Sequence, residues 1–261
     1  MAAVIVLGAT GLVVLPYLFR DHPGPQSVNA AVKAFKGREP TPTGRVLRYE
    51  PPAEGVYTLN GQGTERISFP PNSQRDGAVM PASVTYIAAG CWRWHVDYNV
   101  AHWEEYDFCP RGPEMLLAAN RNSQSWDFGT VKVKNLARFT CTAASVVLPE
   151  DPKAGQAQRY SCRGTNTAIS GSSTTSTAVR IVGIDSQRVG GVAVPAVHEL
   201  QQGTLTGGQR GTVTENWWFA VSSGLPVRVD RQITILSNSP VGTVTYKEAG
   251  SWQMTSLKPR T

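Results

Sequence analysis

The sequence predicts a mainly β protein, in which a single N-terminal transmembrane helix precedes antiparallel β-sheet blocks that form a curved sheet or a sandwich. Short segments that alternate apolar and polar residues recur from Arg45 to the C-terminus, as is typical of strands with one buried face. Pro, Gly and Asn residues separate these segments at short intervals, which favours hairpins over βαβ units. A hydrophobic content of 41% in 261 residues allows a large core and excludes a disordered chain.

The segment 1–19 is an apolar run without a charged residue. At ~1.5 Å per residue, a helix of this length is roughly 28 Å long and spans a hydrocarbon core. Arg20 and Asp21 end the run, and prolines follow at Pro23 and Pro25. Because no small-x-small cleavage pattern follows, we expect an uncleaved signal anchor rather than a removed signal peptide.

The charges that flank this run argue against export, because no Lys or Arg precedes it while Arg20, Lys33 and Lys36 follow it. Long domains, however, are translocated largely regardless of such charges. The cysteine pattern described below favours an oxidising compartment. We therefore expect a single-pass protein of a bacterial cell membrane, with the bulk of the chain outside the cytoplasm.

A short helix and a linker are expected between the anchor and the β region, over residues 20–44. Ser27 is a suitable N-cap for the apolar spacing that runs to Lys36, and Gly37 ends the pattern. The polar sequence REPTPTG that follows is typical of an extended linker.

The β region divides into two blocks, residues 45–150 and 151–261. The boundary lies at the turn-forming sequence that begins with Asp151-Pro152. Within the first block, only Glu114 to Ala119 has the spacing of a short helix.

The four cysteines, Cys91, Cys109, Cys141 and Cys162, lie in two spans of similar length and form no C-x-x-C pair. In an exported protein this spacing favours two local disulfides, Cys91–Cys109 and Cys141–Cys162. The alternative is a zinc site formed by Cys91, His95, His102 and Cys109. That spacing matches no common zinc finger and leaves the other two cysteines unexplained, so we expect disulfides and neither a metal nor another cofactor.

The segment from Cys91 to Cys109 is rich in aromatic residues. These rings either fill the core of a tied hairpin or form a surface on which a flat or sugar-like ligand stacks. Exposure of the rings distinguishes the two interpretations. The candidate ligand-contacting residues, one of which belongs to the second block, are Trp92, Trp94, Trp103 and Trp217.

The sequence contains no familiar catalytic motif: G-x-S-x-G, H-E-x-x-H, the Walker A pattern and a strand–helix G-x-G-x-x-G are absent. The densest ionisable cluster comprises His95, His102, Glu104 and Glu105. Two carboxylates can act as acid and base on a glycosidic bond. Adjacent strand residues point to opposite faces, however, so Glu104 and Glu105 are not expected to meet. We therefore expect no enzymatic activity, with an envelope hydrolase that uses this cluster as an alternative.

The net charge is +6, from 25 Lys and Arg against 19 Asp and Glu. These cations are scattered along the sequence and accompany no zinc-finger, RNP or basic-helix signature. We expect a solvated basic surface and no binding of nucleic acid.

Three consecutive patterns in the second block resemble the closing hairpins of bacterial envelope proteins. They are Trp217-Trp-Phe, Ser223-Gly-Leu-Pro-Val-Arg228 and Val241-Gly-Thr-Val-Thr-Tyr246. The resemblance is to the curved half-barrel family that includes LolA, LolB and LprG-type lipid carriers, and it covers roughly residues 178–257. It implies a one-sided curved sheet that holds an acyl chain or a partner. This chain departs from the family in having no lipobox cysteine and no evident long amphipathic helix.

These observations predict a membrane-anchored extracytoplasmic β protein that binds a lipid, an envelope polymer or a partner protein without catalysing a reaction. Contact with the membrane is expected through residues 1–19. A structural subunit of a membrane complex is an alternative that shares the same sequence features.

Overall fold

The computed structural model describes residues 23–38, 49–87, 90–129, 131–239 and 242–261. The predicted anchor, residues 1–19, lies outside these ranges, and so does most of the predicted linker. Within the described ranges, no helix is long and apolar enough to cross a membrane. The transmembrane helix therefore stays a prediction.

The described residues form fourteen strands and one helix, α1 (Val28–Lys36). The first seven strands are β1 (Gly55–Ser68), β2 (Pro71–Arg75), β3 (Val79–Tyr86), β4 (Trp92–Asn99), β5 (His102–Arg111), β6 (Glu114–Asp127) and β7 (Lys132–Cys141). The others are β8 (Val146–Leu148), β9 (Ala157–Asn166), β10 (Ser172–Val189), β11 (Val192–Gly207), β12 (Gln209–Ala220), β13 (Pro226–Ser239) and β14 (Gly242–Met254).

Twelve of these strands form a closed antiparallel barrel. Its order is β1-β3-β4-β5-β6-β7-β9-β10-β11-β12-β13-β14, and β14 pairs with β1 from Leu59↔Met254 to Ile67↔Tyr246. Strand β2 continues beside β1 beyond β3, and β8 pairs with β6. Closure leaves the barrel without an unpaired edge, which is the usual liability of a β-sheet.

The prediction of a mainly antiparallel β protein is confirmed, but the sheet is neither sandwich-like nor one-sided. Residues 178–257, which resemble the half-barrel family, form only one side of a sheet that continues around and closes. Both predicted blocks, residues 45–150 and 151–261, contribute strands to this one sheet. The helical spacing of Glu114 to Ala119 was misleading, because these residues pair with β5 as part of β6.

Inward-facing apolar side chains fill one end of the barrel, which we call the closed end. The largest of them are Tyr57, Trp94, Phe108 and Phe219. Their rings pack directly, with Tyr57 and Trp94 at 5.9 Å and Phe108 and Phe219 at 6.0 Å between centroids. The β5–β6, β10–β11 and β12–β13 turns lie at this end. We call the opposite end, with the β1–β2, β4–β5 and β6–β7 turns, the open end.

Helix α1 packs on the outside of the barrel. Its predicted start is confirmed, because the Ser27 Oγ accepts a hydrogen bond from the Ala30 N–H at 3.4 Å, and Gly37 follows its last residue. None of its side chains is buried. Since the strands lie between Gly55 and Met254, a fragment of residues 23–261 contains the whole barrel and the helix.

Both predicted disulfides are confirmed. Cys91–Cys109 joins the residue before β4 to β5, and Cys141–Cys162 joins directly paired residues of β7 and β9. The zinc alternative is wrong, because the bond between Cys91 and Cys109 uses the two thiols that it required.

We expect the variant Cys91→Ser with Cys109→Ser to unfold at a lower temperature than the native protein. The chain-entropy model gives roughly 3 kcal/mol for a loop of this length. Thermal unfolding of the 23–261 fragment measures the change, and mapping of non-reduced peptides verifies that Cys141–Cys162 remains. An unchanged melting temperature would contradict the prediction.

Candidate functional site

The open end of the barrel contains a cavity of about 390 Å³. This volume falls within the range of roughly 300–1,000 Å³ that is common for small-molecule sites. One wall is aliphatic, because β12, β13 and β14 turn branched side chains inward: Val213, Ile233, Ile235 and Val244. Aromatic rings from β6 and β7, Trp126 and Phe139, extend the apolar lining.

The opposite wall contains a row of amides. Strand β6 lies six positions from β13 in the twelve-stranded barrel, and its inward residues at the cavity include Asn120, Asn122 and Gln124, between the apolar Leu117 and Trp126. The Oδ1 atoms of Asn120 and Asn135 are buried without a hydrogen-bond donor among the described residues. The cavity therefore offers an apolar surface on one side and amide acceptors on the other, which suits an amphipathic molecule.

Part of the cavity wall is built around Arg231, which projects from β13 across the lumen and is 4% exposed. Its Nη1 and Nη2 donate to the two carboxylate oxygens of Glu104 on β5 at 2.7 and 2.8 Å. Its Nε lies 2.8 Å from Glu248 Oε1 on β14, and its Nη1 also bonds to the Tyr98 hydroxyl on β4. One side chain thus links three other strands.

A second buried ion pair, between His102 and Glu65, lies beside this one. The His102 Nδ1 is 2.8 Å from Glu65 Oε1, and the other oxygen of Glu65 accepts from Gln74 at 2.9 Å and Gln124 at 3.1 Å. The Tyr246 hydroxyl accepts from the Gln124 Nε2 at 2.5 Å and donates to Glu248 at 2.5 Å, and so connects the two groups. We call these bonded residues, together with Arg231 and its partners, the lumen network.

Protonation in the lumen network follows from burial and from the neighbouring charges. Burial alone would raise the pKa of Glu104, but the Arg231 guanidinium outweighs it and lowers the pKa to about 2. Burial would lower the pKa of His102, but Glu65 raises it to about 9. Burial raises the pKa of Glu248 to about 8 against the opposing effect of Arg231. At neutral pH, Arg231 and His102 therefore pair with the carboxylates of Glu104 and Glu65. Burial raises the pKa of the neighbouring Asp76 to about 6, so this carboxyl group is also mostly ionised.

Glu65, Asp76 and His102 are the described residues that could hold a metal ion, since one ligand atom from each lies within 4.8 Å of the others. Asp76 enters this space beside Gly63, where an added Cβ would lie 1.9 Å from its Oδ2 atom. Carboxylate and imidazole ligands suit zinc. Because Glu65 and His102 already bond to each other, their charges are balanced in the structure.

The tryptophans predicted to contact a ligand lie in different places. Trp92 and Trp94 are buried in the core of the closed end, as the core interpretation expects. Trp103 is half-buried on the outside, where its ring lies 5.5 Å from that of His95. Trp217 lines the cavity, and its Nε1 donates to Glu215 at 3.0 Å.

The predicted ionisable cluster is split by the sheet. His102 and Glu104 face the lumen, whereas His95 and Glu105 face outward and bond to each other at 3.2 Å. Sequence reasoning missed Arg231, which organises the site. Apolar and polar residues alternate along β13, and this alternation places Arg231 on the same face as the apolar residues. That pattern could have identified Arg231 as a buried charge.

No protein-family model and no curated protein matches this sequence. Among solved structures, the chain is similar to the hypothetical lipoprotein YmcC from Escherichia coli K12, with a TM-score of 0.36 and 12% sequence identity. That alignment covers 86% of this chain and 96% of YmcC.

Replacing Arg231 by Met should lower the free energy of unfolding by about 3–5 kcal/mol, because Glu104 is left as a buried, unpaired carboxylate. Adding Glu104→Gln should recover part of this loss. The matched control is Arg111→Met, which removes an exposed guanidinium and should cost less than about 1 kcal/mol. Denaturant unfolding at neutral pH measures all three, and equal losses for the two arginine variants would contradict the prediction.

Glu199 is a buried carboxyl group with few hydrogen bonds to offset the cost of burying its charged form. The Gln201 Nε2 donates to its Oε2 at 3.0 Å, while its Oε1 has no hydrogen-bond donor in the described part of the chain. Burial raises its pKa from 4.5 to about 8. The folded protein therefore keeps a proton that the unfolded chain releases between these two values.

It follows that this group's contribution to stability is present below pH 4.5 and is lost as the pH rises to about 8, with a slope of at most roughly 1.4 kcal/mol per pH unit. We expect Glu199→Gln to give a shallower decline in stability between pH 5 and 8 than the native protein. Denaturant unfolding at several pH values measures the slopes, with the exposed Asp151→Asn as control. If stability declines equally steeply with pH in Glu199→Gln and in the native protein, the raised pKa of Glu199 is refuted.

Proposed function

We propose that this protein is a non-enzymatic, membrane-anchored extracytoplasmic barrel that takes the apolar part of an amphipathic lipid into the cavity at its open end. The observation that carries this proposal is the cavity itself, which has an aliphatic wall from β12–β14 and an opposite wall of amides from β6. Transfer of an acyl chain from water to such a wall is favoured by roughly 0.8 kcal/mol per methylene.

The lumen network supports a particular orientation of the ligand. Arg231 and Glu104 neutralise each other, as do His102 and Glu65, so these two cations offer no free charge to an ionic headgroup. A ligand with an apolar tail and a polar head would therefore enter tail first. Its head would remain at the open end, in contact with water.

The disulfides support the extracytoplasmic location. Cys91–Cys109 and Cys141–Cys162 are bonds that form and persist in oxidising compartments. The predicted anchor at residues 1–19 would hold the barrel to the membrane.

The hydrolase alternative has little support from the geometry. Glu104 and Glu105 lie on opposite sides of the sheet, and Glu104 is fully engaged by Arg231. A pair of carboxylates that acts on one glycosidic bond must flank that bond. Glu104 and Glu105 cannot flank one bond in this arrangement.

Filling the cavity tests the proposal. We expect Val213→Trp to weaken the binding of radiolabelled palmitate at least tenfold, because its side chain lines the aliphatic wall. The matched control is Thr212→Trp, the outward-facing neighbour on the same strand, which should bind as the native protein does. Equilibrium dialysis with the 23–261 fragment measures the affinity.

A chain-length series provides a second readout. Burial of two methylenes contributes roughly 1.6 kcal/mol to binding. For chains short enough to fit within the cavity, a fatty acid shorter by two methylenes should therefore bind about tenfold more weakly. Affinity that is independent of chain length, or equal loss in the two Trp variants, would contradict the proposal. A stable protein partner and no bound lipid would instead favour the subunit alternative.

A further inference from the structure

We propose that the open end of the barrel is a docking surface for an anionic lipid bilayer. This inference goes beyond the proposed function, because docking does not require the cavity to be occupied. Four observations at this end of the molecule support it, and they concern exposed charge, pairing of like charges, exposed apolar turns and the position of the N-terminal chain.

Exposed cations surround the cavity mouth on the outer face of the barrel. Each lies next to a residue that lines the cavity: Arg66, Lys132, Lys134, Arg163, Arg210 and Lys247. The acidic residue Asp127 is the direct cross-strand partner of Lys132 and opposes its charge. The outer carboxylates of β4 and β5, Asp97 and Glu105, bond to His95. The mouth therefore carries a net positive charge.

Two of these cations are placed where they repel each other. Arg66 on β1 and Lys247 on β14 are direct partners in the ladder that closes the barrel, and both side chains are exposed. Neither forms an ion pair with a carboxylate in the described ranges. Like charges directly opposite each other destabilise a sheet. An anionic surface at this end would convert this repulsion into attraction.

Three turns at the open end carry exposed apolar side chains. Phe69 in the β1–β2 turn is 51% exposed, Val100 in the β4–β5 turn 61% and Val131 after the β6–β7 turn 57%. These turns are neighbours along one arc of the mouth. Apolar side chains beside cations are typical of surfaces that insert into the headgroup region of an anionic membrane.

The N-terminal chain reaches the barrel at the same end. The Val100 N–H donates to the Gly24 carbonyl at 3.1 Å, which places the start of the described chain beside the β4–β5 turn. Residues 20–22 separate the predicted anchor from Pro23. At about 3.5 Å per residue, an anchored chain would hold this turn within roughly 15 Å of the bilayer. The anchor and the basic mouth would thus face the same membrane.

Vesicle sedimentation of the 23–261 fragment, which lacks the predicted anchor, tests the proposal. We expect binding to vesicles of phosphatidylglycerol and phosphatidylcholine, weak binding to phosphatidylcholine alone, and a decline with added salt. The variant Arg66→Gln with Lys247→Gln should bind the anionic vesicles at least tenfold more weakly. The matched control is Arg180→Gln with Lys258→Gln, which removes two exposed cations away from the mouth and should retain at least half of the native affinity.

The outcomes separate docking from cavity binding. Equal losses for the two double variants would show an effect of net charge alone and overturn the proposal, as would equal binding to anionic and neutral vesicles. Val213→Trp should sediment with anionic vesicles as the native fragment does, whatever its affinity for palmitate. Loss of vesicle binding in that variant would also overturn the proposal, because the inward Val213 does not belong to the docking surface. Far-UV circular dichroism verifies that each variant is folded.

Discussion

The buried charge of Arg231 is the constraint on which the interior of this barrel depends. An unpaired guanidinium buried as deeply as that of Arg231 would cost several kcal/mol, so the strands around it must supply compensating groups. They do so from three directions, with Glu104 on β5, Glu248 on β14 and Tyr98 on β4. Because the contact with Glu104 crosses the lumen, it holds distant strands together beside the cavity.

Packing changes along the axis of the barrel. Towards the closed end, aromatic residues such as Tyr57 and Trp94 pack together, and the cavity reaches Phe219 there. Towards the open end, the side chains of Val213 and Ile233 line a wall that no facing side chain of the described residues covers. A closed sheet of twelve strands is wide enough to leave such space unless large side chains fill it. The cavity therefore extends past the lumen network, and its aliphatic wall favours an apolar occupant.

The two proposals fit one arrangement of the molecule. A barrel whose open end rests on an anionic bilayer would present its cavity to the lipids of that surface, and a tail could enter without crossing bulk water. The cations at the mouth, including Arg66 and Lys247, would lie at the level of the headgroups. The lumen network would lie beside the tail.

The sequence by itself determined the features that depend on neighbouring residues. The Ser27 cap of α1, the alternating strands and the two short-range disulfides arise from local spacing, and each was predicted. Spacing alone misassigned Glu114 to Ala119, because cross-strand pairing overrides a weak helical pattern.

Only the tertiary structure decided the closure of β1 on β14 and the contents of the lumen. Arg231 and Glu104 are 127 residues apart in the sequence, and His102 and Glu65 are 37 apart. Such partners are brought together by strand register around a closed sheet, which no local pattern of residues records.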